Sequence, residues 1–106
     1  MAKKSATKKE RKHMAKVAAL GCIVCELYHD APDAPAEIHH ITTRRGYGQR
    51  AKHTEVLPLC PMHHRLGESG VAVHNGVKTW EERYDTQKNL LKVVKLKLKE
   101  YESNLI

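Results

Sequence analysis

Three cysteines and eight histidines stand among 106 residues, and their spacing is the first feature with chemical meaning. Cys22-Ile23-Val24-Cys25 and Cys60-Pro61-Met62-His63 each place two metal-ligating side chains three positions apart. One turn of chain at that spacing wraps a tetrahedral Zn²⁺, and two such halves close a Cys₃His site. Four protein ligands leave no open position, so this zinc is expected to be structural. An odd number of cysteines argues against a disulfide framework. Buried free cysteines would account for the thiols, but not for a histidine three residues after Cys60.

Four further histidines, His39, His40, His64 and His74, form a second group. A lone histidine is ordinarily a satisfied polar group; an adjacent pair at a strand end, beside a basic loop, is harder to dismiss. Neighbours on a strand point to opposite faces, so one ring of the pair can hold a metal while the other reaches a substrate water. His64 follows His63 on a short helix and projects about 100° away from it, toward a different site. Two metal centres on one scaffold are expected.

Charge suggests a polyanionic partner. The net charge is +7. Residues 1–16 carry Lys3, Lys4, Lys8, Lys9, Arg11, Lys12 and Lys16 against Glu10 alone, and residues 41–53 carry Arg44, Arg45, Arg50 and Lys52 with no acid. Two basic patches suit nucleic acid; a solubilising tail and a solvated loop are the plainer reading. No apolar run approaches the roughly 20 residues of a membrane span, and the start, Met1-Ala2-Lys3-Lys4, is unlike a secretion signal. A soluble, cytoplasmic protein is expected.

The elements that must position these residues are readable in outline. Residues 1–5 read as a disordered basic tail, and 6–106 as a single domain whose small core needs a staple. Thr7 and Glu10 have capping-box spacing and open a helix from about Lys8 to Leu20, stopped by Gly21. Cys22 to Cys25 read as a tight turn and residues 29–36 as a loop. Glu37 to Ile41 is a short strand. Val56 to Leu59 is a second, with Pro58 calling for an edge or a bulge. Pro61 starts a helix that Gly67 ends. A helical stretch spans about Thr79 to Tyr84, and Thr86 caps a long final helix. There Tyr84, Leu91, Val94, Leu98, Tyr101 and Leu105 form one apolar stripe, which either docks on the core or pairs with a second copy as a homodimer.

In order, Cys22-x-x-Cys25, Glu37-Ile38-His39-His40-Ile41 and Leu57-Pro58-Leu59-Cys60-Pro61-Met62-His63-His64 resemble an HNH (ββα-metal) endonuclease. The continuation through Gly70-Val71-Ala72-Val73-His74 and Lys78-Thr79-Trp80-Glu81-Glu82-Arg83-Tyr84 is similar to the phage recombination-enhancement nuclease family. The resemblance covers roughly residues 14–90. It implies an α+β fold: a zinc-braced ββα-metal core with an N-terminal helix and a long C-terminal one. It implies His40 as the general base that deprotonates the attacking water. His39 and His64 become ligands of a catalytic metal, with His74 as a further ligand or the closing one in place of His64. It implies Cys22, Cys25, Cys60 and His63 as zinc ligands, His63 replacing the family's usual cysteine. The middle asparagine of HNH is absent, since Thr54 and Glu55 follow His53; either His53 or the backbone takes its orienting role.

The expected activity is hydrolysis of DNA phosphodiesters with little sequence specificity. Arg44, Arg45, Arg50 and Lys52 would lie against the phosphates, and nothing resembles a base-reading element. Histidine-rich coordination suits Mn²⁺, Co²⁺, Ni²⁺ or Zn²⁺ better than Mg²⁺. The resemblance also points to a recombination-filament protein as partner. The rival reading from another class is a non-catalytic, zinc-stabilised nucleic-acid-binding module. It explains the cysteines and the charge, and leaves His39, His40, His64 and His74 as coincidence.

Overall fold

The computed structural model describes residues 6–42 and 52–104. The expected tail 1–5, the loop residues Arg44, Arg45 and Arg50, and Leu105 lie outside the described residues; Lys52 is exposed.

Helix α1, Lys8–Ala19, starts on the capping box anticipated from Thr7 and Glu10. The Thr7 amide donates to Glu10 Oε1 at 2.8 Å and the Glu10 amide to Thr7 Oγ1 at 3.1 Å. Gly21 follows at φ +82°, where a Cβ would stand 2.4 Å from the Pro32 carbonyl oxygen, so only glycine fits. The first knuckle is not a tight turn. Cys22 is instead the N-cap of helix α2, Ile23–His29, its sulfur accepting from the Cys25 amide at 3.5 Å. A thiol in the capping position lets a helical turn begin where a free reversal was expected.

Strands β1, Glu37–His40, and β2, Val56–Leu59, form a two-stranded antiparallel sheet pairing Glu37 with Leu59 and His40 with Val56. The ladder accommodates Pro58 without a bulge. The Ile41 amide donates to Glu55 O at 3.1 Å, so hydrogen-bonded pairs fall at 41/55, 39/57 and 37/59, and Pro58 opposes Ile38 in a non-hydrogen-bonded pair. No ladder bond is lost to its missing N–H.

The stretch after Pro61 is a single π-helical turn, Met62–Leu66, a wide turn often met at functional sites. Gly67 ends it, its amide donating to Met62 O at 3.0 Å. A 3₁₀ turn, Val73–Asn75, carries His74 and leads into helix α3, Val77–Arg83, two residues earlier than expected. Helix α4, Gln87–Asn104, is capped by Thr86, whose hydroxyl accepts from the Asn89 amide at 3.1 Å. Its apolar stripe docks on the core: Leu90, Leu91, Val94 and Leu98 are buried beside Val17, Ile23, Leu57 and Trp80, while Tyr101 is half exposed. The architecture is α+β, with the sheet held among α1, α2 and α4. No helix among the described residues is long and apolar enough to cross a membrane.

Candidate functional site

Two Cys/His clusters flank the π turn, which supplies one histidine to each. In the first, Cys22, Cys25, Cys60 and His63 converge. Cys25 Sγ lies 3.7 Å from Cys60 Sγ. His63 Nδ1 lies 3.7, 3.5 and 3.2 Å from the sulfurs of Cys22, Cys25 and Cys60. A tetrahedral ion with Zn–S and Zn–N bonds of ordinary length needs S···S edges of about 3.8 Å and S···N edges of about 3.6 Å. The observed edges fall within about 0.4 Å of these, so the four residues are spaced to hold a metal such as zinc. Their electrostatics agree. Burial and the neighbouring cysteines push the Cys25 thiol up to about 12, and burial also raises Cys22. Crowded thiols that resist ionisation on their own are what a cation would relieve. Burial, with His29 and Arg83 nearby, lowers His63 and favours its neutral, ligating form. His29 stacks on His63 with centroids 5.1 Å apart, and the Tyr84 ring meets it edge-on at 5.6 Å.

In the second cluster, His39, His64 and His74 bring ligand nitrogens within 4.8 Å of one another. The ring centroids are 5.2 Å apart for His39 and His64, 5.5 Å for His39 and His74, and 4.4 Å for His64 and His74. Spacing left open whether His64 or His74 accompanies His39; the fold brings both to it. A cleft of about 410 Å³ opens here, lined by His39, Thr42, Val73, His74, Gly76 and Val77.

Alternation along β1 arranges the support. Glu37 and His39 share a face, and Glu37 Oε1 accepts from His64 Nδ1 at 2.7 Å. The other flank of Glu37 is gripped by Arg65, with Nε and Nη2 at 2.9 and 2.8 Å. The guanidinium first, and His64 second, hold that carboxyl down at about 2. A carboxylate only accepts, so His64 carries a proton on Nδ1, which leaves Nε2 as the nitrogen it can offer the cluster.

His39, 2% exposed, is held by a residue that sequence reasoning missed. Gln87, the first residue of α4 and 1% exposed, places Oε1 2.8 Å from His39 Nε2. The amide orientation is set by Thr42: its N–H donates to Gln87 Oε1 at 2.8 Å, and its carbonyl accepts from Gln87 Nε2 at 3.0 Å. Oε1 therefore accepts from His39, whose proton sits on Nε2 and whose Nδ1 lone pair is free. Burial, partly offset by the Gln87 bond, lowers His39 to about 4, so it is neutral near pH 7. The signal for Gln87 lay only in its place after the Thr86 cap, which marks a helix start and says nothing of a partner 48 residues away.

His40 points to the other face, as alternation requires. Its Nε2 lies 2.9 Å from His53 Nδ1, the rings meeting edge-on at 5.1 Å. Burial, then the charge of His53, lowers His40. Of the two candidates for the vacant asparagine role, the fold brings His53 to the dyad.

A small α+β scaffold with two clusters able to hold metal ions, one of them beside a cleft, defines the class. The family described as recombination enhancement, RecA-dependent nuclease matches residues 6–99. The chain belongs to that family and is a nuclease with a link to RecA. No curated protein matches it.

Proposed function

We propose that this chain is a metal-dependent DNA endonuclease of the HNH kind, acting in recombination or phage DNA processing with little sequence specificity. The observation that carries the reading is the His39–His64–His74 cluster beside its cleft, with His40 next in the chain on the same strand. His39 through Nδ1 and His64 through Nε2 would hold a divalent ion with His74, a donor set that suits Zn²⁺, Mn²⁺, Co²⁺ or Ni²⁺ better than Mg²⁺. When bound, that ion would supply positive charge against the developing phosphorane and the leaving 3′ oxygen.

The remaining work falls to side chains. His40 is the general base. With Nε2 committed to His53, its Nδ1 takes the proton of the attacking water, and its lowered pKa keeps the neutral form available below the usual imidazole range. His53 holds the ring in place of the missing asparagine. Cys22, Cys25, Cys60 and His63 hold a structural zinc that ties the start of α2 to the π turn. Through the adjacent His63 and His64, that zinc also fixes where the second cluster forms. Arg44, Arg45, Arg50 and Lys52 contact phosphates rather than base edges, which leaves cleavage largely independent of sequence. The working compartment is the cytoplasm, where RecA meets DNA.

The test is a plasmid-nicking assay across divalent ions, with several unrelated DNAs as substrates. His40→Ala is expected to lose at least 100-fold in rate, about the low end for a general base, with zinc content and melting unchanged. Full activity in that variant rejects the assignment, and a single dominant cleavage position rejects the lack of specificity.

A further inference from the structure

The outer flank of α4 carries a second feature, unrelated to the apolar stripe that docks it. Lys88, Lys92, Lys95 and Lys99 are all exposed and recur at steps of four, three and four. At about 100° per residue they fall within about 60° of one another, a row roughly 16 Å long. Lys97, on the opposite flank, is paired with Glu26 of α2. The lysine flank instead turns toward α1, since Glu102, next along it, meets Lys16 at 3.5 Å. On α1 the same side presents Lys8, Lys9 and Lys12, also exposed. The lysine flanks of α1 and α4 thus adjoin at the Lys16–Glu102 pair, with seven exposed lysines between them. Among the described residues no carboxylate forms an ion pair with any of them.

Such an arrangement costs the free protein. Like charges at i,i+3 and i,i+4 repel by a few tenths of a kcal/mol per pair in a helix, and Glu102, three residues after Lys99 and already paired with Lys16, does not fully offset it. An external polyanion would. Beside the row only Leu96 is an exposed apolar side chain, and it is not one of the aromatic or arginine anchors that dominate protein–protein contacts, so the repeating charge fits a phosphate backbone better than an acidic protein. Its position fits as well: α4 begins at Gln87, in contact with His39, so the row starts at the edge of the second cluster and leads away from it.

We propose that the α1–α4 lysine face is a track for the DNA backbone, holding duplex at a distance from the scissile phosphate. This rests on DNA being the substrate. From Gln87 to Lys99 the track is about 18 Å long, roughly half of a ~34 Å helical turn of duplex.

The experiment measures binding of a 30-base-pair duplex by fluorescence anisotropy across a salt series, without added divalent ions, for the full chain. In the variant Lys88→Gln/Lys92→Gln/Lys95→Gln/Lys99→Gln, the slope of log K against log salt is expected to become shallower by about 3 to 4, since each phosphate left unneutralised removes about 0.9. The corresponding Lys→Arg variant is expected to keep the wild-type slope. If wild type binds with a steep slope that the glutamine variant leaves unchanged, the track is overturned while DNA as substrate stands. If wild type itself shows no salt-dependent binding, both fall. Loss of poly-glutamate binding with DNA binding intact would also overturn it, in favour of an acidic protein partner.

Discussion

Replacing Gln87 by methionine keeps the volume of a fully buried side chain and removes its amide. Five hydrogen bonds go with it: one to His39, and four to the backbone and hydroxyl of Thr42. Thr42 is exposed and can turn to water, whereas His39 is 2% exposed and cannot. The cost therefore concentrates on His39 Nε2–H, about 1–3 kcal/mol for a buried donor left without a partner. The ring can escape that cost by moving its proton to Nδ1, which blocks the nitrogen offered to a metal. An ion at Nδ1 then has to drive the proton back to Nε2, so its affinity falls by up to roughly 5- to 150-fold on the same energy scale, near the range seen for supporting groups of ligating histidines. Calorimetric titration of Co²⁺ or Mn²⁺ into zinc-loaded protein reads this directly. Imidazole ¹⁵N shifts read the tautomer with no second metal present. Gln87→Glu, which retains an acceptor, is expected to restore the Nε2–H form. If Gln87→Met binds the second ion as wild type does and His39 keeps its proton on Nε2, the amide sets neither the tautomer nor the metal affinity.

Three further outcomes are expected. In His53→Ala, both the neighbouring charge and part of the shielding that depress His40 are lost, so its pKa rises toward the ordinary 6.5. Neutral base is lost as pH falls through that pKa, so the acid limb of the cleavage profile moves to higher pH; an unmoved limb refutes the base assignment. Cys22 and Cys25 are both held protonated near pH 7 in the metal-free protein, so zinc binding as thiolates releases one proton from each. Calorimetry in buffers of different ionisation enthalpy counts them, and Cys25→Ser is expected to lose both the zinc and the cooperative melt. A Cβ at Gly67 would stand 2.5 Å from both the Met62 carbonyl oxygen and Val71 Cγ1. Gly67→Ala is therefore expected to destabilise the fold by about 1–3 kcal/mol and to weaken both clusters, because His63 and His64 ride on the turn it closes; an unchanged melting temperature contradicts this.

Local chemistry was legible from the chain alone wherever ligand and support lie close in sequence. The capping box of α1, the Cys22/Cys25 and Cys60/His63 pairs, the alternation that sends His39 and His40 apart, and the Gly67 stop all act over five residues or fewer. They depend on spacing and backbone periodicity, which any sequence displays. The same locality explains the error at the first knuckle: two cysteines three apart suit a turn and a helix N-terminus equally, and only the path of α2 chooses.

What the tertiary structure decided is which distant groups meet. Gln87 reaches His39 across 48 residues, Glu37 reaches His64 across 27, and His53 reaches His40 across 13. The convergence of His39, His64 and His74 is likewise a tertiary result. A hydrogen bond depends on a separation of about 3 Å and a direction, neither of which exists until α4 docks its leucines on the sheet and carries Gln87 into place. The residue types that do the chemistry were written in the chain, whereas the protons they hold are set by packing.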